Sequence, residues 1–121
     1  MSDKLPILVA EDEPMLRIIA VEMLADAGFE VFEAADGLEA LELLKANPGI
    51  ALLVSDIKMP RMDGYALVEA GLAVRPDLKV LLMTGYAQDP LPQTLKARDI
   101  KVLHKPFNLE RLCALATQLT A

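Results

Sequence analysis

Cysteine is almost missing from this sequence: Cys113 is the only one in 121 residues. A lone thiol closes no internal disulfide and completes no zinc or redox motif, and its setting in an apolar helical pattern marks it as a buried structural thiol. Clustered basic residues are missing too. The 12 Lys and Arg residues are outnumbered by 18 Asp and Glu, for a net charge of -6, so direct binding to a nucleic-acid backbone is not expected. No apolar run approaches the roughly 18 residues needed to span a bilayer. The first residues enter strand-like sequence without a signal-peptide core. These absences predict a cytoplasmic protein with no membrane partner. Neither a Walker loop nor a dinucleotide-binding glycine pattern is present, which removes the common nucleotide enzymes.

What is present suits one globular domain over residues 1–121, with 54% hydrophobic and 25% charged residues. Residues 50–55, Ile-Ala-Leu-Leu-Val-Ser, form an apolar run that stops at Asp56. Such a run reads as a buried strand, and Pro60, Asp63 and Gly64 shape the turn after it. Similar strands are predicted at 5–10, 29–34, 78–84 and 100–104. The stretch 29–34 alternates imperfectly, as an edge strand does.

Helical patterns lie between the strands. The first follows Asp12, read as its cap, carries Leu16, Ile19, Ala20, Met23, Leu24 and Ala27 on one face, and stops at Gly28. The second is capped by Asp36 and carries Leu38, Leu41, Leu43 and Leu44. The third is capped by Asp63 and closes at Arg75 and Pro76. Asp89, Pro90 and Pro92 leave about two turns for a fourth, over roughly 91–98, which should be short or irregular. Asn108 caps a last helix bearing Leu109, Leu112, Cys113, Ala116 and Leu119.

Alternating strands and helices predict a doubly wound α/β fold with a parallel sheet, because parallel neighbours need helical crossovers. All carboxyl ends of the strands then share one edge, where ligands bind. Glu11 and Asp12, Asp56, Thr84 and Lys105 each stand at a strand end, so the fold brings them together. Three crowded carboxylates call for a cation, and an oxygen-only shell suits Mg2+. Asp56 can then act as a nucleophile toward a phosphoryl group, with Lys105 and Thr84 at the transferring oxygens.

These features resemble the receiver domains of two-component response regulators along the whole chain. The matching residues are Glu11 and Asp12, Asp56 with Lys58, Met59 and Pro60, then Asp63 and Gly64, Thr84 and Gly85, and Lys105, Pro106 and Phe107. The resemblance implies a flavodoxin-like five-stranded sheet in the order 2-1-3-4-5 with five helices. It implies Asp56 as phosphoacceptor, and Asp12, Glu11 and the Lys58 backbone carbonyl as Mg2+ ligands alongside Asp56. It further implies Thr84 and Lys105 at the phosphoryl group and a cis peptide between Lys105 and Pro106. The donor would be a histidine kinase or histidine phosphotransfer protein. The signal would leave through the fourth helix, fifth strand and fifth helix to a further protein, the chain acting as a monomer or a phosphorylation-dependent dimer. No output domain is expected.

The chain departs from the pattern at Val102, where the family usually carries a Tyr or Phe that swings inward with the Thr. Tyr86 is the nearest aromatic that can substitute. The Lys58 side chain is a candidate for tuning the lifetime of the acyl phosphate, and His104 reads as a core-edge or surface residue. Two other classes compete. A phosphorylation-independent binding module with this fold would not need the full set of acids, Thr and Lys. An aspartate-nucleophile hydrolase like the haloacid dehalogenases would want an Asp where Lys58 stands.

Overall fold

The computed structural model describes residues 4–84, 100–104 and 109–121. Five strands form one parallel sheet: β1 (Pro6–Ala10), β2 (Glu30–Ala34), β3 (Leu52–Asp56), β4 (Lys79–Thr84) and β5 (Lys101–His104). Their spatial order is β2-β1-β3-β4-β5, with β2 at one edge and β3 at the centre. Helices α1 (Pro14–Asp26), α2 (Gly37–Ala46) and α3 (Gly64–Val74) follow β1, β2 and β3, and a C-terminal helix spans Leu109–Thr120. The expected fourth helix at 91–98, the Asn108 cap, the Lys105–Pro106 peptide, Lys105 itself and Tyr86 lie outside the described residues.

The near-continuous apolar strands are explained by burial on both faces. Leu8 of β1, Leu53 of β3 and Val80 and Leu82 of β4 point to the side covered by α2 and α3, meeting Ala40, Leu44, Leu67, Val68 and Leu72. Their neighbours Ile7, Val9, Leu52, Val54, Leu81 and Met83 point to the other side, against Ala20 and Leu24 of α1 and Leu112, Leu115 and Ala116 of the C-terminal helix. A period of two along each strand divides the apolar residues between two cores. Val102, opposite Leu82 in β5, packs on the first of these.

Caps set the helix starts. Asp36 accepts from the Glu39 amide at 2.9 Å and Asp63 from the Ala66 amide at 2.9 Å, as their positions predict. The first helix differs. Its cap is Glu13, accepting from the Met15 amide, because the helix begins at Pro14 and the residue before it takes the capping role. Asp12 is freed for the sheet edge. The apolar face expected on α1 is also only partly buried. Ala20 and Leu24 are enclosed, but Leu16 and Ile19 are exposed along with Met15 and Ile18. Phe29 and the C-terminal helix join the core around the later turns, and among the described residues nothing similar covers the first two.

Candidate functional site

β1 delivers the first acids. Its pairing with β2 runs one step past the strand, the Glu11 amide donating to the Ala34 carbonyl at 3.1 Å. That places Glu11 at the sheet edge with only 1% of its surface exposed. A carboxylate oxygen of Glu11 accepts from the Glu13 amide at 3.2 Å. Arg17, one turn into α1, donates to the Glu11 carbonyl at 2.9 Å and to the Glu33 carboxylate at 3.2 Å. This side chain thus stitches the β1 end to β2. Asp12 is exposed beside it.

β3 delivers Asp56. Ala10 of β1 lies opposite Ser55, so Glu11 and Asp56 occur at the same level of adjacent strands. Asp56 is 8% exposed. Its Oδ1 accepts from the Ile57 amide at 2.7 Å, which fixes the carboxylate's rotation. Carboxylate oxygens of Glu11, Asp12 and Asp56 lie within 4.8 Å of one another. Three negative charges at that spacing repel strongly where two are buried, and an all-oxygen donor set fits a hard divalent cation that keeps part of its water shell.

β4 delivers Thr84 one residue beyond Met83, the partner of Asp56, and it is 2% exposed. Thr84 lies opposite His104, the last residue of β5. Four of the predicted residues, Glu11, Asp12, Asp56 and Thr84, therefore meet at the carboxyl edge as expected. Lys58 is exposed in the loop that follows Asp56.

That loop is tightly drawn. The Gly64 amide donates to the Ile57 carbonyl at 2.7 Å, and a Cβ on Gly64 would collide with the Asp56 carbonyl. Only glycine lets α3 start this close to Asp56. Further along, Arg61 adopts φ 68°, a left-handed conformation that costs a residue with a side chain. Its guanidinium forks onto Asp36, with 3.0 and 2.7 Å bonds to Oδ2. The Glu39 amide, first, holds the Asp36 carboxyl below its ordinary value; burial, next, opposes it, and the Arg61 guanidinium lowers it further. Sequence reasoning missed Arg17 and Arg61. Arg17 looks like a solvent-side helix residue, and a left-handed arginine leaves no mark in sequence.

A family model for the response regulator receiver domain matches residues 7–117. The chain belongs to this family. Among relatives of this receiver domain, the response regulator receiver protein CpdR of Brucella abortus is 42% identical over 107 residues, covering 88% of each chain. The sensor kinase CckA of the same organism is 37% identical over 122 residues, 98% of this chain but 13% of CckA. A solved structure of the response regulator TrrA from Thermotoga maritima, in complex with Mg2+ and BeF, superposes with a TM-score of 0.84 at 30% identity, covering 94% of this chain and 97% of TrrA. Receiver domains bind Mg2+ at an acidic pocket and are phosphorylated by histidine kinases or phosphotransfer proteins. They are signalling modules of two-component and phosphorelay systems. No helix among the described residues is long and apolar enough to cross a membrane.

Proposed function

We propose that the chain is a phosphoacceptor switch in which Asp56 takes a phosphoryl group from a phosphohistidine on a histidine kinase or histidine phosphotransfer protein. The observation that carries this reading is the meeting of the Glu11, Asp12 and Asp56 carboxylates within 4.8 Å at the carboxyl edge of the sheet. A carboxylate oxygen of Asp56 forms a bond to phosphorus as the donor's P–N bond breaks, and the departing imidazole takes up a proton. The Ile57 amide on Oδ1 orients the nucleophile for in-line approach. Glu11, Asp12, Asp56 and the Lys58 carbonyl would hold Mg2+, which neutralises charge on the transferring oxygens. Thr84 donates its hydroxyl to one phosphoryl oxygen, and Lys105 supplies a fixed positive charge to another.

The acyl phosphate pulls Thr84 toward it, and the change passes to the face assigned to the fourth helix, β5 and the C-terminal helix, where a downstream protein reads it. Val102 has no ring to swing and already packs on the core, so this chain transmits the change without the family's usual aromatic. Tyr86 and the Lys58 side chain remain proposed tuning positions. Intact-mass measurement after incubation with acetyl phosphate and Mg2+ tests the reading. The native chain gains one phosphoryl mass, about 80 Da, and the gain disappears with a chelator and in Asp56→Asn. A native chain that never gains it, even at short times, is a binding module that keeps the pocket without the reaction.

A further inference from the structure

The loop carrying Lys58 leaves β3 at Asp56 and returns at Gly64, and its far side is tied to a different part of the molecule. Asp36, the cap of α2, divides its two oxygens: Oδ1 accepts from the Glu39 amide at 2.9 Å, and Oδ2 takes both bonds from Arg61. The next residues along each chain also touch, since a Cβ on Gly37 would overlap the Met62 carbonyl. The Met62 amide donates to the Pro60 carbonyl at 2.8 Å, bracketing Arg61 in a tight turn. Met59 and Met62 pack against the core below.

Arg61 is the unexpected member of this set. At φ 68° glycine or asparagine is the usual occupant. An arginine stands there against its backbone preference, and among the described residues its side chain grips Asp36. Asp36 is in turn joined to the metal-facing strand: it lies two residues beyond Ala34, whose carbonyl holds the Glu11 amide. The ion pair therefore connects the strand end that supplies Glu11 with the loop that supplies Lys58.

We propose that Asp36 and Arg61 are positioning residues that clamp the loop after β3, so that the Lys58 carbonyl and the acidic trio are held at one spacing for a divalent cation. The inference rests on the metal reading above. It concerns residues that touch neither cation nor phosphoryl group, and it acts through the backbone. Its sign is opposite to that of plain electrostatics. Removing a positive charge near a cation site by itself tightens cation binding; removing the clamp loosens it.

Three variants decide between these effects. Asp36→Asn keeps a capping oxygen for α2. Arg61→Asn keeps a residue suited to the left-handed turn. The double variant keeps the net charge. The Mg2+ dissociation constant is measured by calorimetric titration, alongside the melting temperature and the amide exchange rate of Met62 in metal-free protein. The clamp predicts weaker Mg2+ binding in Arg61→Asn, by about three- to fivefold as befits a partly exposed pair. It also predicts a double variant no weaker than the weaker single one, faster exchange at Met62, and a melting temperature close to the native one. Tighter or unchanged Mg2+ binding in Arg61→Asn and in the double variant overturns the clamp while leaving the metal site standing. A native chain that takes up no Mg2+ overturns the metal reading itself, and the clamp's purpose falls with it.

Discussion

Gly64 shows how much one position can demand. Its missing side chain lets the α3 start pass against the Asp56 carbonyl, so Gly64→Ala must push the loop away from Asp56. We expect a loss of about 1–3 kcal/mol from overpacking, read by denaturant unfolding, together with slower phosphoryl uptake from acetyl phosphate. The turn at Asp63 and Gly64 was legible in the sequence, but the reason for glycine was not, because the colliding carbonyl becomes its neighbour only in the folded loop. Cys113 was legible in part: it reads as a buried thiol on an apolar helix face, but the fold covers it incompletely. It is partly buried with its thiol toward the Met23 carbonyl at 3.6 Å, and burial, then the nearby Asp26 charge, raises its pKa above the ordinary 9.0. Iodoacetamide at pH 8 should label it more slowly in native than in urea-unfolded protein, as followed by mass. Because the folded value is the higher one, the thiol's contribution to stability is complete below pH 9 and fades as pH rises through the folded value.

At the scale of elements, caps and strands were readable where the cause was local. Asp36 and Asp63 announced α2 and α3 because capping needs only an oxygen three residues before an open amide. Asp36→Ala removes both the α2 cap and the Arg61 partner, so its melting temperature should fall clearly below that of Asp36→Asn in the same scan. The Asp36 carboxyl is depressed in the folded chain. Its contribution is therefore present above the unfolded value, near pH 3.9, and is lost as pH falls through the lower folded value. Leu53 in the central strand is wholly buried, and Leu53→Ala should cost about 2–5 kcal/mol in denaturant unfolding. The α1 face was less readable. A helical stripe shows which residues share a side, but which part of that side is covered depends on the elements packed beside it; Leu16 and Ile19 sit where the described cover ends.

For the whole molecule, the proposed metal site ties cation binding to folding. With Mg2+ at tenfold its dissociation constant the folded chain should gain about 1.4 kcal/mol, seen as a higher melting temperature that Asp12→Asn abolishes. Read alone, the residues gave the five strands in their chain sequence, the two-sided burial of β3 and β4, and the placing of Glu11, Asp12, Asp56 and Thr84 at the carboxyl edge. Each of these follows from local periodicity and from the rule that parallel strands end on one edge; the spatial order of the strands came from the family resemblance. The fold had to be seen before it was clear that Glu13 caps α1, that Arg17 braces the β1 end, and that Arg61 reaches Asp36 across 25 residues of chain. The Arg61 contact joins residues distant in sequence, while Glu13 and Arg17 act over two and six residues but in directions set by the chain's path off the β1 end, and no local propensity encodes a direction that a neighbouring element imposes.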